Sequence, residues 1–102
     1  MRSMKIFISG RIAGLPREEA VRTFERGKKM LIENTFDFVC PTDLLKEGAS
    51  DSEAMALLLP LLCKSDGILL LNDSKFSGGS HIEEKLAKYL KKQIFYEDDL
   101  IN

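Results

Sequence analysis

Short apolar runs alternate with helically spaced apolar positions along the chain. Residues 4–9 form a mostly apolar run with β-branched members, halted at Gly10, and read as a buried strand. Pro16 suits a first helical turn, and Glu18 and Glu19 sit well near a helix N-terminus. Ala20, Val21, Phe24, Gly27, Lys28 and Leu31 then keep a helical spacing as far as Asn34. Residues 36–40 read as a second strand, stopped by Pro41. Ser50 and Glu53 make a capping box that starts a second helix running towards Lys64. Pro60 inside it is expected to kink or split it, because the ring removes a hydrogen bond and crowds the preceding turn. Residues 68–71 are continuously apolar, which suits a strand covered on both faces. A polar, glycine-containing loop follows over 72–79. Residues 80–92 read as a third helix with Ile82, Leu86, Tyr89 and Leu90 on one face, and residues 93–96 as a fourth strand. The six residues beyond open on an acidic run and are expected to be a loose, solvated tail.

The order β-α-β-α-β-α-β implies an α/β layer fold. Right-handed crossovers with helices on both faces give a doubly wound, Rossmann- or flavodoxin-like sheet of four parallel strands in the order 2-1-3-4, with three main helices. That order reverses between the first and third strands. Open α/β sheets bind ligands just beyond such a switch point. Two loops meet there, 9–15 and 72–80.

Composition narrows the function classes. With 102 residues, one domain spanning 1–102 is expected. Lys plus Arg is 15 and Asp plus Glu is 16, so there is no basic excess of the kind nucleic-acid binders carry. The longest apolar run contains Pro60 and is too short to span a bilayer, and residues 1–10 read as a strand rather than a targeting segment. Two cysteines, Cys40 and Cys63, make no disulfide framework, so a reducing cytoplasm is the expected setting. Both are expected in or near the core. His81 is the single histidine, expected to be exposed, and no metal or cofactor is implied. Lys85, Lys88, Lys91 and Lys92 read as the solvated face of the third helix.

The first loop offers Ser9, Gly10, Arg11 and Ile12. Gly10 permits a close approach after the strand, and Arg11 can meet a phosphate or carboxylate, although a plain turn with a solvated Arg accounts for it too. The second offers Ser77, Gly78, Gly79 and Ser80, hydroxyls and small residues at a helix start, which suits an anion or simply a cap. Glu83 has two readings. In the spacing Ser80–Glu83 it completes a capping box; it also faces the crevice from the first turn, where a carboxylate can act as nucleophile. Sequence physics places capping first. Asp66 begins the third strand at the end away from the crevice, where a turn or cap role is expected.

The two loops together carry a resemblance. Residues 6–14, Ile-Phe-Ile-Ser-Gly-Arg-Ile-Ala-Gly, resemble the first strand and turn of the nucleoside 2-deoxyribosyltransferase-like family. Residues 79–87, Gly-Ser-His-Ile-Glu-Glu-Lys-Leu-Ala, resemble its Gly-Thr/Val-x-x-Glu-x-Gly-x-Ala signature. The likeness is closest to a small branch of bacterial and phage proteins, domain of unknown function 4406. It implies a pocket for a deoxynucleoside or its 5′-phosphate, with Glu83 as the nucleophile on the sugar's anomeric carbon, a phosphate-binding serine at Ser77, and a homodimer. Ser77 points to the branch that hydrolyses 2′-deoxynucleoside 5′-monophosphates. The chain departs from the pattern at Phe7, where the family has a tyrosine, at Leu58, where it has an acid that assists the leaving base, and at Lys85, where it has glycine. Losing such an acid typically removes about 10²–10⁴ in rate. A non-catalytic nucleotide-binding or interaction domain, with Glu83 only a cap, is the alternative expectation.

Overall fold

The computed structural model describes residues 3–100. The four apolar runs become strands β1 (Lys5–Ser9), β2 (Asp37–Val39), β3 (Gly67–Leu70) and β4 (Gln93–Tyr96). They pair in parallel in the order β2-β1-β3-β4, the doubly wound topology expected from the alternation. The helices are α1 (Arg17–Glu33), α2 (Pro41–Leu44), α3 (Asp51–Cys63) and α4 (Gly78–Tyr89).

Strand pleating sorts the core into two layers. Ile6 and Ile8 of β1 pack with Phe24 and Leu31 of α1 and with Leu69 and Leu71. Phe7 points the other way, joining Leu58 and Leu62 of α3, Ile68 and Leu70 of β3, and Ala87 of α4. Ser9 shares the Phe7 face by the period of two, so its hydroxyl is directed to the α4 side. Gly27 lets α1 lie close on the sheet: a Cβ there would stand 3.1 Å from Leu71 Cδ2 and 3.3 Å from Ile8 Cγ2.

Several local expectations are corrected. Pro16 is the residue before the helix rather than a member of its first turn. Pro41 opens the short helix α2 instead of merely ending β2. The Ser50–Glu53 capping box is present, with Glu53 N–H donating to Ser50 Oγ at 3.1 Å and Ser50 N–H donating to Glu53 Oε1 at 3.2 Å. The helix it starts runs through Pro60 without a break, with the proline on its exposed side. Cys40 is buried but Cys63 is exposed, and both are free thiols.

The acidic stretch after β4 is no loose tail as far as Leu100. Glu97 to Asp99 form a 3-10 turn, and Glu97 is buried. Arg26 grips its carboxylate with two bonds, Nε to Oε2 at 2.7 Å and Nη2 to Oε1 at 3.1 Å, and the Asn72 N–H adds a third at 2.8 Å. Burial pushes the Glu97 carboxyl upward, but the Arg26 and Asn72 hydrogen bonds outweigh it and hold the carboxyl below its ordinary value. Lys92 is likewise structural. Its ammonium caps the end of α3 by donating to the carbonyls of Cys63 at 2.9 Å and Ser65 at 2.6 Å.

Candidate functional site

The switch point between β1 and β3 opens into a cleft of about 580 Å³, within the usual range for small-molecule sites. Gly10, Arg11 and Ile12 of the β1–α1 turn line one side, and Ser77, Gly78 and Gly79 at the start of α4 line another. The third wall comes from the loop after α2 and the first turns of α3, including Leu45, Met55 and Leu58. Phe76 and Ile82 close the rim with large exposed apolar side chains.

Gly10 is dictated by crowding. A Cβ there would lie 2.8 Å from Leu71 Cδ1, 3.1 Å from Asp73 Oδ1 and 3.3 Å from Phe24 Cζ. The bare backbone lets the turn sit down on the core. Next to it the Arg11 N–H donates to Asp73 Oδ1 at 3.1 Å, tying the two loops together. The Arg11 guanidinium turns back on its own loop, Nε donating to the Ala13 carbonyl at 3.2 Å. Arg17, which sequence reasoning passed over, braces the third wall: its Nη2 donates to the carbonyls of Thr42 at 2.7 Å and Leu45 at 3.0 Å.

The start of α4 differs from the expected capping box. The cap is Ser77, three residues before the expected one, with its Oγ accepting the Ser80 N–H at 3.1 Å, so the helix already begins at Gly78. Its buried stripe is Ser80, Glu83 and Ala87, whereas Ile82, Tyr89 and Leu90 are exposed. The face read as apolar is therefore rotated, and two polar residues occupy the buried one.

Glu83 is consequently no cap. It is 4% exposed, and its Oε1 lies 2.7 Å from Ser9 Oγ. Ser9 Oγ is in turn 2.9 Å from Ser80 Oγ, which lies 3.2 Å from the Gly10 carbonyl oxygen. Burial pushes the Glu83 carboxyl up to about 7, against a smaller opposing pull from the Ser9 hydrogen bond. Ser9, Ser80 and Glu83 thus form a buried row immediately behind Gly10 and Gly79, and none of the three is among the residues lining the cleft.

Away from the cleft, Asp66 Oδ2 accepts the Lys5 N–H at 2.8 Å, the structural role expected at that end of the sheet. His81 is exposed as expected. Among the described residues no group of three or more His, Cys, Asp or Glu could hold a metal ion, and no helix is long and apolar enough to cross a membrane. No curated protein and no solved structure matches the sequence. A family model described as "Domain of unknown function (DUF4406)" does match, over residues 4–96, which contain all four strands of the sheet and both loops of the cleft, and the chain belongs to that family.

Proposed function

We propose that the cleft binds a nucleoside or its 5′-phosphate, and that Glu83 attacks the anomeric carbon of a 2′-deoxynucleoside 5′-monophosphate, breaking its N-glycosidic bond. The observation that carries this reading is the 2.7 Å contact between Glu83 Oε1 and Ser9 Oγ at the switch point. The resemblance to the nucleoside 2-deoxyribosyltransferase-like family leaves the carboxylate without a tyrosine hydroxyl, because residue 7 is Phe. Ser9, two residues on along the same strand face, supplies a hydroxyl instead. Ser77, Gly78 and Gly79 offer a small, hydroxyl-bearing helix start for the phosphate, and the apolar wall of Leu45, Met55 and Phe76 suits a base.

In this reading Glu83 ionises and turns from its buried row into the cleft, where one of its oxygens bonds to C1′ while the base departs with the electrons of the C1′–N bond and takes a proton from water. Water then cleaves the sugar–enzyme ester. Deoxynucleoside monophosphates are incubated with the chain and free base is followed by chromatography. Release is expected from the wild type and none above background from Glu83→Gln. No release from the wild type, or equal release from both, defeats the reading.

One observation favours binding without turnover: Leu58 is buried and lines the cleft where the resemblance places an acid. A nucleotide that raises the melting temperature yet yields no base would select that alternative.

The reading includes a homodimer. Positions 54–63 of α3 carry only apolar residues and Pro60, yet only Leu58 and Leu62 are buried in the chain's own core. A helix apolar on every side is normally covered on every side. Leu57 on this helix is 41% exposed. Sedimentation at micromolar concentration is expected to give twice the 11.5 kDa chain mass, and Leu57→Lys to give the single-chain mass. A wild-type monomer would refute the dimer.

A further inference from the structure

Ser9, Ser80 and Glu83 present a proton-counting problem. The row makes three oxygen–oxygen contacts: Glu83 to Ser9, Ser9 to Ser80, and Ser80 to the Gly10 carbonyl. Each contact needs one hydrogen between its oxygens. The two hydroxyls supply two, and the carbonyl supplies none. All three contacts are satisfied together only when Glu83 carries a proton. Glu83 O–H then donates to Ser9, Ser9 to Ser80, and Ser80 to Gly10. With Glu83 ionised, Ser9 must turn its hydrogen to the carboxylate, and one contact further along is left bare.

We infer that Ser9 and Ser80 are positioning residues in a directional hydroxyl relay that holds Glu83 neutral behind the cleft, and that ionising Glu83 reverses the relay and releases the Gly10 carbonyl. On ionisation the proton leaves for solvent, Ser9 donates to Glu83, and Ser80 donates to Ser9, the nearer of its two acceptors at 2.9 Å against 3.2 Å. The Gly10 carbonyl then becomes a free acceptor on a residue that lines the cleft. A ligand bearing a hydroxyl donor, as a sugar does, is the chemistry that fills it. Ionisation of the carboxyl and binding of such a ligand therefore favour each other.

Among the described residues, no charged side chain other than Glu83 is hydrogen-bonded into the row. The turn contributes Arg11, and the 3-10 turn at Asn72–Phe76 contributes Asp73 and Lys75. The first turn of α3 contributes Asp51 and Glu53, β4 contributes Tyr96, and α4 itself contributes His81, Glu84, Lys85, Lys88 and Tyr89. Asp73 is engaged by the Arg11 N–H, Glu53 by its capping box and Glu84 by Lys88. Burial raises the Glu83 carboxyl, the Ser9 hydrogen bond pulls against it, and no charged group contributes.

The inference rests on Glu83 being the working carboxyl of the proposed site, but its test reads the relay whether or not any glycoside is cleaved. Carbon-13 NMR of the full chain follows the Glu83 carboxyl and the Gly10 carbonyl through a pH titration. In the wild type both are expected to move with one midpoint. Ser80→Ala removes the acceptor that rewards the neutral form, so the Glu83 midpoint falls by about one pH unit, the equivalent of one ordinary hydrogen bond. Ser80→Thr, which keeps the hydroxyl, restores it. Ser9→Ala removes the donor to the ionised form and moves the midpoint upward. A Gly10 carbonyl that stays flat while Glu83 titrates in the wild type overturns the relay, and that reading needs no variant to fold. An unchanged or raised midpoint in a folded Ser80→Ala does the same.

Discussion

Glu83→Gln is expected to make the protein more stable at pH 8 by about 3 kcal/mol while changing little at pH 5. The carboxyl has an ordinary value of 4.5 and is held at about 7 in the folded chain, first by burial. Between those values the folded state binds more protons than the unfolded state, so stability falls as pH rises through the window. Below it both states are protonated and nothing is lost; above it both are ionised and the full cost remains. Glutamine cannot ionise, and its amide can donate to Ser9 as the neutral acid does. Urea unfolding at intervals from pH 5 to 8 should therefore give a sloping profile for the wild type and a flatter one for the variant. Glu97 cannot mimic this slope, because its depressed carboxyl contributes fully throughout that range and is lost only in more acid solution. Groups common to both proteins cancel in the difference. Parallel profiles would mean that Glu83 is solvated and that the buried row does not persist in solution.

The second large effect is expected at Phe24. Its ring is fully buried among Ile6, Ile8, Leu31, Leu69 and Leu71. Phe24→Ala should cost about 3–5 kcal/mol through lost burial and the cavity left behind, a large share of the ~5–15 kcal/mol that holds a domain together. The ring also supports the cleft, since its Cζ stands 3.3 Å from where a Cβ on Gly10 would lie. Removing it takes away the support beneath the Gly10 turn, so amide exchange at Gly10 and Arg11 should quicken beyond the global loss of stability. A urea midpoint implying a loss below about 1 kcal/mol would show that the core closes over the gap.

Much of the scaffold was legible because its signals are local. Ile68 to Leu71 form a run too short and too apolar for anything but a covered strand, and the chirality of crossovers then limits the strand order. The site was legible only in outline. The two loops follow from the switch point, but the wall built from Leu45, Met55 and Leu58 is brought there by tertiary packing that no local pattern announces. The start of α4 was misplaced because Ser77 and Ser80 are both good caps with glycines between them. Its face was misread because Ser80 and Glu83 are polar yet inward, and hydrophobic patterning assigns polar residues to solvent. Glu97 escaped for a different reason: its partner Arg26 lies 71 positions away in the chain. Cys63 escaped because a helix apolar all round does not reveal which stripe is buried.

The Arg26–Glu97 pairing bears on how far the cooperative unit extends past the last strand. β4 is an edge strand of four residues, the kind of element that frays first. Glu97 follows it directly and is fastened to α1, whose Phe24 and Leu31 lie in the core layer that Phe95 of β4 packs against. The edge strand is therefore buckled at its exit to the second element of the fold. Cutting the chain after Tyr96 would keep every strand residue, yet it would strand an arginine on α1 and unfasten the sheet's last member. The boundary of the cooperative unit lies beyond the final strand, at the carboxylate that follows it.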